Sequence, residues 1–400
     1  MSERIGWGYL AASAARHHLS RFEDLAREAR RGVIPAVPAS ALQAVGARYQ
    51  LVEPARPVHL EVPRELDAAD RRALHLRNAS SVPEQFVLDV AGVVVRGRDG
   101  WIFHEGRLVE DVWQEAGHSA RAMAPLRHRP VTAHLAGTTV SLLQPWSPNY
   151  YHWTVQVLPR LLVVLEWLGA RAEEADHWLL PPRAPAVACE WLDALGVPES
   201  RRVVVPDRQV SISVDRLVVA SVPGRNRWVP SWVVDRLRAA APVDPTRRRG
   251  SRLLIQRPVD RRRNLVNAAE VLAALEPLGY EVVDPGSMSL AEEAAVFGAA
   301  EVVVGVHGAG LTNMVFCRPG TAVVELTPHA LVHPTFVKLA DAARVRHRMV
   351  VGREPRLPWP LRFPDIHADV VADVPRLLAV LEELAGGSPI SGLSQSPNSG

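Results

Sequence analysis

The sequence predicts an α/β protein of two doubly wound, Rossmann-like domains facing a cleft, with a small N-terminal β meander. Three observations carry that expectation. Strand-like and helix-like segments alternate from about residue 132, and the alternation restarts after residue 250. Between the two runs, residues 241–250 (APVDPTRRRG) gather prolines, charges and a glycine, as an interdomain linker does. Late in the second run, Val302-Val303-Val304-Gly305-Val306 reads as a strand buried on both faces, and it runs into His307-Gly308-Ala309-Gly310, a glycine-rich turn.

Four hundred residues exceed one ordinary domain, which fits two units of about 150 to 200 residues each. Apolar residues at 48% and charged residues at 22% describe a globular chain that can bury a core. Lys338 is the only lysine, so arginine carries nearly all the positive charge. Arginine suits bidentate binding of phosphate and carboxylate. The basic residues are too scattered to point to a nucleic-acid partner. Cys189 and Cys317 stand in apolar contexts and imply neither a disulfide framework nor a zinc site. No apolar run approaches the roughly 18 residues of a membrane span, and no signal-peptide core is visible. A reducing cytoplasm is the expected home.

Residues 1–50 read as a helical and irregular segment. Its arginine-rich patch Ser20 to Arg31 reads as a solvated helix, or as one that could touch an anionic membrane from the cytoplasmic side. Residues 51–240 form the first α/β domain, with an antiparallel meander over 85–112 turned by Arg98-Asp99-Gly100 and His104-Glu105-Gly106. Its later strands are expected at 138–143, 177–180, 202–205 and 216–220, with helices at 150–168, 185–196 and 230–240. Residues 251–385 form the second domain: strands 252–256, 280–283, 302–306, 322–326 and 346–351, helices 267–278 and 334–343, and a final helix over 369–384. Ser289 and Glu292 form a capping box opening another helix. Residues 386–400 are rich in Gly, Ser and Pro and are expected to be disordered.

A strand, a glycine-rich turn and a helix over Leu311 to Phe316 present free amides and a positive dipole end, an anion site. Gly308 and Gly310 would let a phosphate approach the backbone at Ala309, and Thr312 and Asn313 could add donors. The alternative is a corner that needs glycine only for its backbone angles. Arg257 and Arg261 to Arg263 follow the first strand of this domain, and Glu325 lies 18 residues beyond His307. Together they make a plausible nucleoside-diphosphate site, with the carboxylate accepting from hydroxyls. In the first domain, Pro145 to Trp153 (PWSPNYYHW) leads into a helix capped by Ser147 or Asn149. Its apolar stripe is Tyr151, Val155, Leu158, Leu162 and Leu165, and Pro159 should kink it. His152, Gln156 and Arg160 line another face at four-residue spacing. His152 beside Tyr150, Tyr151 and Trp153 suits sugar recognition and general-base work. His17, His18, His329 and His333 form no ligand constellation, so no structural metal is predicted.

These segments resemble the family 61 glycosyltransferases, including the bacterial capsular-polysaccharide type. The resemblance rests on Asn149-Tyr150-Tyr151-His152-Trp153 with Leu158-Pro159-Arg160, on Arg257 with Arg263 through Asn267 and Glu270, and on Gly305 through Asn313 with Pro319-Gly320-Thr321 and Glu325. It covers roughly residues 85 to 355, and Ala268 departs from the pattern, where an acid often follows the asparagine. It implies a GT-B fold, a nucleotide-sugar donor (a UDP-sugar) held mainly by the second domain, a glycan or other hydroxyl acceptor, inversion at the anomeric carbon, and a role in polysaccharide biosynthesis. No cofactor is expected: the turn at Gly308 with Arg257 and Arg263 can neutralise the leaving diphosphate without a metal. His152 is the candidate base and His307 the second candidate. A nucleotide-sugar epimerase or hydrolase, or a non-catalytic glycan-binding protein, would fit the same layout. The spacing Gly305-x-x-Gly308-x-Gly310 does not match the dinucleotide fingerprint.

Overall fold

The computed structural model of the chain describes residues 36–59, 63, 66–76, 81–112, 129–206, 209–224, 227–247, 250–256, 263–355 and 368–386. The patch at 20–31, Arg257, Arg261, Arg262 and the tail beyond 386 lie outside the described residues. Two sheets enclose a layer of helices, and a further pair of helices covers the outer face of the second sheet.

The second sheet holds five parallel strands in the order Tyr280–Val283, Arg252–Ile255, Val302–Val306, Ala322–Pro328, Arg346–Gly352. Numbered along the chain this is 2-1-3-4-5, a doubly wound order whose direction reverses between Arg252–Ile255 and Val302–Val306. Helices cover both faces, as the apolar runs predict. Leu254, Val304, Val324 and Leu326 face helices Ala268–Leu275 and Val374–Gly386. Leu253, Ile255, Val303 and Val323 face helices Leu290–Ala299 and Thr335–Ala343. Side chains alternate along a strand, so Glu325 shares the inner face with Val323. The predicted capping box is present: Ser289 and Glu292 satisfy each other's backbone amides.

The first sheet is mixed. Its order is Ala36–Val37, Arg107–Val109, Trp101–His104, Gln85–Arg96, Ser211–Ala220, Ala133–Ser141, Ala175–Leu180, Arg202–Val204, with Arg48–Glu53 also paired to Gln85–Arg96. The meander is present, with Glu105 and Gly106 at φ +47° and +73° in its second turn. Its first strand, Gln85–Arg96, runs unbroken through Gly92, whose φ is +65°. Nor is it an appendage: Gln85–Arg96 pairs antiparallel with Ser211–Ala220 over most of its length, joining it to the parallel strands. The expectation of a doubly wound first domain is therefore corrected. Among the described residues, its helices at 150–168, 187–194 and 231–240 bury their apolar residues in one core with the second sheet's inner face. The opposite face packs on the 3₁₀ helix Ala39–Val45 and on the meander's own Trp101, Ile102 and Phe103.

The middle layer is filled from both halves. Tyr151 meets Phe336 edge-on at 6.0 Å, and Trp191 stacks on Phe316 at 6.4 Å. Arg238 donates to the carbonyls of Val315 and Ala343, both at 2.8 Å. The helix that begins at Tyr150 changes form within this layer. Residues Trp153–Val157 make a π-helical stretch between the α-helical turns Tyr150–His152 and Leu158–Leu168. Pro159 lacks an N–H and would crowd the carbonyl of Val155, and a widened turn relieves both problems. That extra residue shifts the buried stripe: Leu161, Val164 and Leu168 are buried, whereas the expected Leu162 and Leu165 are half-buried. By length and composition the run Tyr150–Glu174 is apolar enough to cross a membrane, but 67% of its most apolar window is buried inside the protein.

Candidate functional site

In open parallel sheets ligands lie beyond the strands' carboxyl ends at the switch point. Here that is the turn His307 to Gly310 beside Ile255. The element after Gly308 is a seven-residue 3₁₀ helix, Ala309–Val315, and not the expected α-helix. It brings early amides without an intrahelical partner, but little accumulated dipole. Its glycines are explained by packing. A Cβ on Gly310 would stand 3.1 Å from Ile255 Cγ2, and one on Gly305 would stand 3.2 Å from Ile255 and Leu311. Gly308, at φ 170°, has an extended backbone open to any residue. Glycine at 310 thus lets the turn close onto the first strand, a packing reason that stands beside the phosphate reading.

Thr312 and Asn313 are fully buried, so neither reaches outward as a donor. Asn313 Nδ2 donates to the carbonyl of Gly310 at 3.2 Å, and its Oδ1 accepts from Tyr150 Oη at 2.7 Å. Tyr150 Oη also lies 2.9 Å from Glu293 Oε2. Burial pushes the Glu293 carboxyl up to about 8, reinforced by Glu190 and opposed by hydrogen bonds from Tyr150 and Asn313. Near neutral pH it therefore carries a proton and can donate to Tyr150, leaving the Tyr150 hydroxyl hydrogen for Asn313. Burial and the adjacent Glu293 hold the Tyr150 phenol well above its ordinary value. Tyr150 thus pins the start of the helix to the glycine turn.

His307 ends the central strand, with its amide bonded to Leu326 O at 2.8 Å. Its Nδ1 donates to Glu325 Oε1, and His347 Nε2 donates to Glu325 Oε2 at 2.9 Å. Burial works against the Glu325 charge, but attraction to His307 and hydrogen bonds from both imidazoles outweigh it and bring the carboxyl to about 2. His347 Nδ1 is buried without a partner, which suits a ring carrying its proton on Nε2. With Nδ1 of His307 occupied by Glu325, Nε2 is the nitrogen left to accept a proton. Nothing in the spacing had marked His347: it stands one strand away, and only the register of Arg346–Gly352 brings it to Glu325.

His152 is buried, and its tautomer follows from a chain of donors that begins in the core. Arg160, wholly buried, donates to the carbonyls of Ala220 (2.7 Å), Leu143 (3.2 Å) and Ser141 (3.2 Å) and to Gln144 Oε1 (3.4 Å). Gln144 Nε2 then donates to Gln156 Oε1 at 3.0 Å, so His152 Nδ1, 2.7 Å from the same oxygen, donates as well. Burial lowers the Arg160 guanidinium to about 9, which still leaves it charged. Asn149 caps the helix by accepting from Tyr151 N at 2.9 Å. The aromatic residues expected to hold an acceptor are mostly inside: Trp153 is fully buried and Tyr151 is 3% exposed with its hydroxyl 3.3 Å from Arg227 O. Their rings face protein, which corrects the expectation that they offer faces to a sugar.

Arg263 sits at φ +63° on the rim of the second sheet. The residues after it form a clasp: Asn264 and Asn267 bind the backbone and side chain of 369–372, with Asn264 N to Asp369 Oδ1 at 2.7 Å and Ala372 N to Asn267 Oδ1 at 2.9 Å. Among the described residues, one group could gather a metal ion, Asp67, Asp70 and His329, whose ligand atoms lie within 4.8 Å of one another. His329 directly follows the strand Ala322–Pro328, and Asp67 already caps Asp70 N.

The switch point of a doubly wound sheet is where ligands bind, and here it holds an amide-lined turn and a carboxylate-backed histidine. Residues 150–324 match the family Glycosyltransferase 61, a span from Tyr150 to the strand that carries Glu325. The chain is 38% identical over 79 residues to the alpha-1,3-arabinosyltransferase XAT2 of Oryza sativa subsp. japonica, which is 19% of this chain and 13% of that protein. It is 40% identical over 67 residues to the beta-1,2-xylosyltransferase XAX1 of the same plant, 16% of this chain and 12% of that protein. The matched stretches therefore span about an eighth of the relatives' length. These plant matches lend no support to the capsular type.

Proposed function

We propose that the protein is a glycosyltransferase that moves a sugar, a pentose in the first instance, from a nucleotide sugar to a hydroxyl of a glycan. The observation that carries this is the span of the family match: it starts at Tyr150 and runs through the glycine turn, two segments that the fold bonds together through Asn313. The pentose follows the arabinosyl- and xylosyltransferase relatives. In this reading the second half is the donor half of a GT-B-like arrangement, with the donor diphosphate over the turn 308–310, Arg257 and Arg263 as the arginines that neutralise it, and the acceptor on the side of the first sheet. The acceptor oxygen bonds to the anomeric carbon as the bond to the diphosphate breaks, and its electron pair leaves with the diphosphate. The proton passes to a base, and inversion follows from attack opposite the leaving group. His307 is the better-supported base because Glu325, an anion behind Nδ1, stabilises the imidazolium that forms. His152 Nδ1 instead meets a neutral group, the Gln156 amide.

A panel of UDP-arabinose, UDP-xylose, UDP-glucose and GDP-, CMP- and dTDP-sugars in thermal unfolding tests the reading, since a bound donor stabilises by mass action. The expected result is a rise in Tm with a UDP-pentose and transfer of the labelled sugar to an oligosaccharide. No shift with any nucleotide sugar would sink it.

A further inference from the structure

A row of three polar side chains crosses the inner face of the second sheet. Around it that face is apolar: Leu253, Ile255, Val303 and Val323 share a core with Phe336 and Leu339 of the covering helix. His307 follows the end of Val302–Val306, Glu325 belongs to the next strand, and His347 to Arg346–Gly352, the strand beyond. His347 stands opposite Val323, two residues short of the level of Glu325. Residues two apart share a face, so the imidazole reaches the carboxylate on the diagonal. There Nε2 donates to Oε2 at 2.9 Å, while Oε1 is taken by His307 Nδ1. The His347 side chain is 5% exposed, and that of Glu325 is wholly buried.

Packing alone does not call for a histidine at 347. Its Nδ1 is buried with no hydrogen-bond partner, a cost that a leucine in the same space would not carry. The same nitrogen defines the tautomer. A proton there would make a buried N–H without an acceptor, so the ring holds its proton on Nε2, towards Glu325. A donor with no charge of its own occupies one carboxylate oxygen and leaves the negative charge for the other imidazole. The strand is tied down where it begins. Arg346 N donates to Thr321 O at 2.8 Å, and the Arg346 guanidinium donates to Gly320 O at 2.9 Å and to Leu384 O at 3.0 Å. The donor is thus fixed by the backbone that presents it.

Resting on the transferase reading, we infer that His347 is a positioning residue. It locks the Glu325 carboxylate with Oε1 on His307 Nδ1, and so keeps Nε2 of His307 as the nitrogen that takes the proton of the glycan hydroxyl. With the second imidazole removed, Oε2 would be a buried carboxylate oxygen without this donor. The carboxylate would turn to find another, and His307 would lose the acceptor that sets its tautomer. His347 acts through Glu325 and takes no proton itself.

The first half of the test needs no substrate. In protein carrying isotope-labelled histidine, long-range proton–nitrogen NMR spectra report which ring nitrogen holds the proton, and His307→Ala supplies the assignment. Wild-type His307 is expected as the Nδ1–H tautomer. His347→Leu keeps the volume and removes the donor, and there His307 should become a mixture of both tautomers. His347→Gln places an amide nitrogen where Nε2 was, and the Nδ1–H form should return. The rates should follow. In His347→Leu, kcat should fall about 10- to 100-fold, the usual cost of losing a partner that orients a functional histidine. His347→Gln should recover most of that loss, with the donor KM within twofold throughout. If His347→Leu does not fold, His347→Asn replaces it, because its shorter amide stops at the place of Nδ1. A wild-type His307 without its proton on Nδ1, one His307 tautomer in every variant, or a His347→Gln no better than His347→Leu would each overturn the positioning role. A tautomer shift without transfer from any nucleotide sugar would keep that role and remove the transferase reading. Transfer by the wild type with an equal kcat in His347→Leu would do the reverse.

Discussion

Glu325 and Glu293 are both buried, at 0% and 2% exposure, and both lie against the segment 307–313, yet their carboxyls move in opposite directions. Burial by itself raises a carboxyl, and it does so at both sites. The difference lies in the partners. Glu325 stands between two imidazoles that donate to it, and it falls to about 2. Glu293 has a phenol, an amide and the like charge of Glu190, and it rises to about 8. One is a permanent anion able to support positive charge on His307. The other is a neutral acid at pH 7 that joins the two halves of the molecule. Burial sets the cost of a charge; the partner decides whether the cost is met.

The largest effect should come from the histidine that the anion supports. In the proposed transferase, His307→Ala should lower kcat about 10² to 10⁴-fold, the range of a positioned base, with UDP-sugar affinity held within threefold. A loss of affinity equal to the loss of rate, measured by titration calorimetry, would make His307 a binding residue.

Glu325→Gln keeps the shape and removes the charge. A glutamine has one acceptor oxygen for two imidazole N–H donors, and its amide would face one of them donor to donor. Transfer should fall about 10²-fold. Stability should change with pH in a defined direction too. The folded carboxyl at about 2 lies below its unfolded value of about 4.3, so its contribution is complete above that value and is lost as pH falls toward 2. Urea melts between pH 2 and 5 should show a shallower acid loss in Glu325→Gln than in the wild type.

His152→Ala sharpens the comparison from the other side. It removes a ring backed by a neutral amide, so the expected loss in kcat is about tenfold, smaller than for His307. A loss of 10³ or more, with His307→Ala near wild type, would exchange the two roles.

The parts of this structure that were legible in the sequence are local ones. The Ser289 cap, the strand at 280–283 and the hairpin turn at Glu105-Gly106 each depend on residues within a few positions of one another. The four-residue spacing of His152, Gln156 and Arg160 likewise survives as a bonded chain through Gln144. What the pattern could not carry is pairing across the chain. The meander joins Ser211–Ala220 more than a hundred residues later, and His347 reaches Glu325 only through strand register. The acceptor aromatics were misplaced because the helix that begins at Tyr150 lies in the layer between the two sheets and is buried on nearly every side. Gly310 reads as a ligand position because sequence shows that a Cβ is absent, and only the fold adds that Ile255 is what it would meet.

The smallest expected effect belongs to the other carboxyl, and its sign separates the two most cleanly. Glu293 titrates at about 8 when folded and near 4.3 when unfolded. Between those values the folded protein binds the extra proton, so stability falls as pH rises across that window, the opposite of the slope from Glu325. One such proton is worth at most about 1.4 kcal/mol per pH unit. Glu293→Gln supplies a permanent donor to Tyr150 where the acid needs its proton, and the bond from Tyr150 to Asn313 is kept. The variant should therefore match the wild type in transfer at pH 7 and hold its Tm more nearly constant from pH 5 to 8. If the wild type already shows no downward slope across that range, or if the glutamine leaves the slope unchanged, Glu293 is ionised in the folded protein. In that case Tyr150 must give its proton to Glu293, and the link from the helix to the glycine turn would run through the charge and not through Asn313.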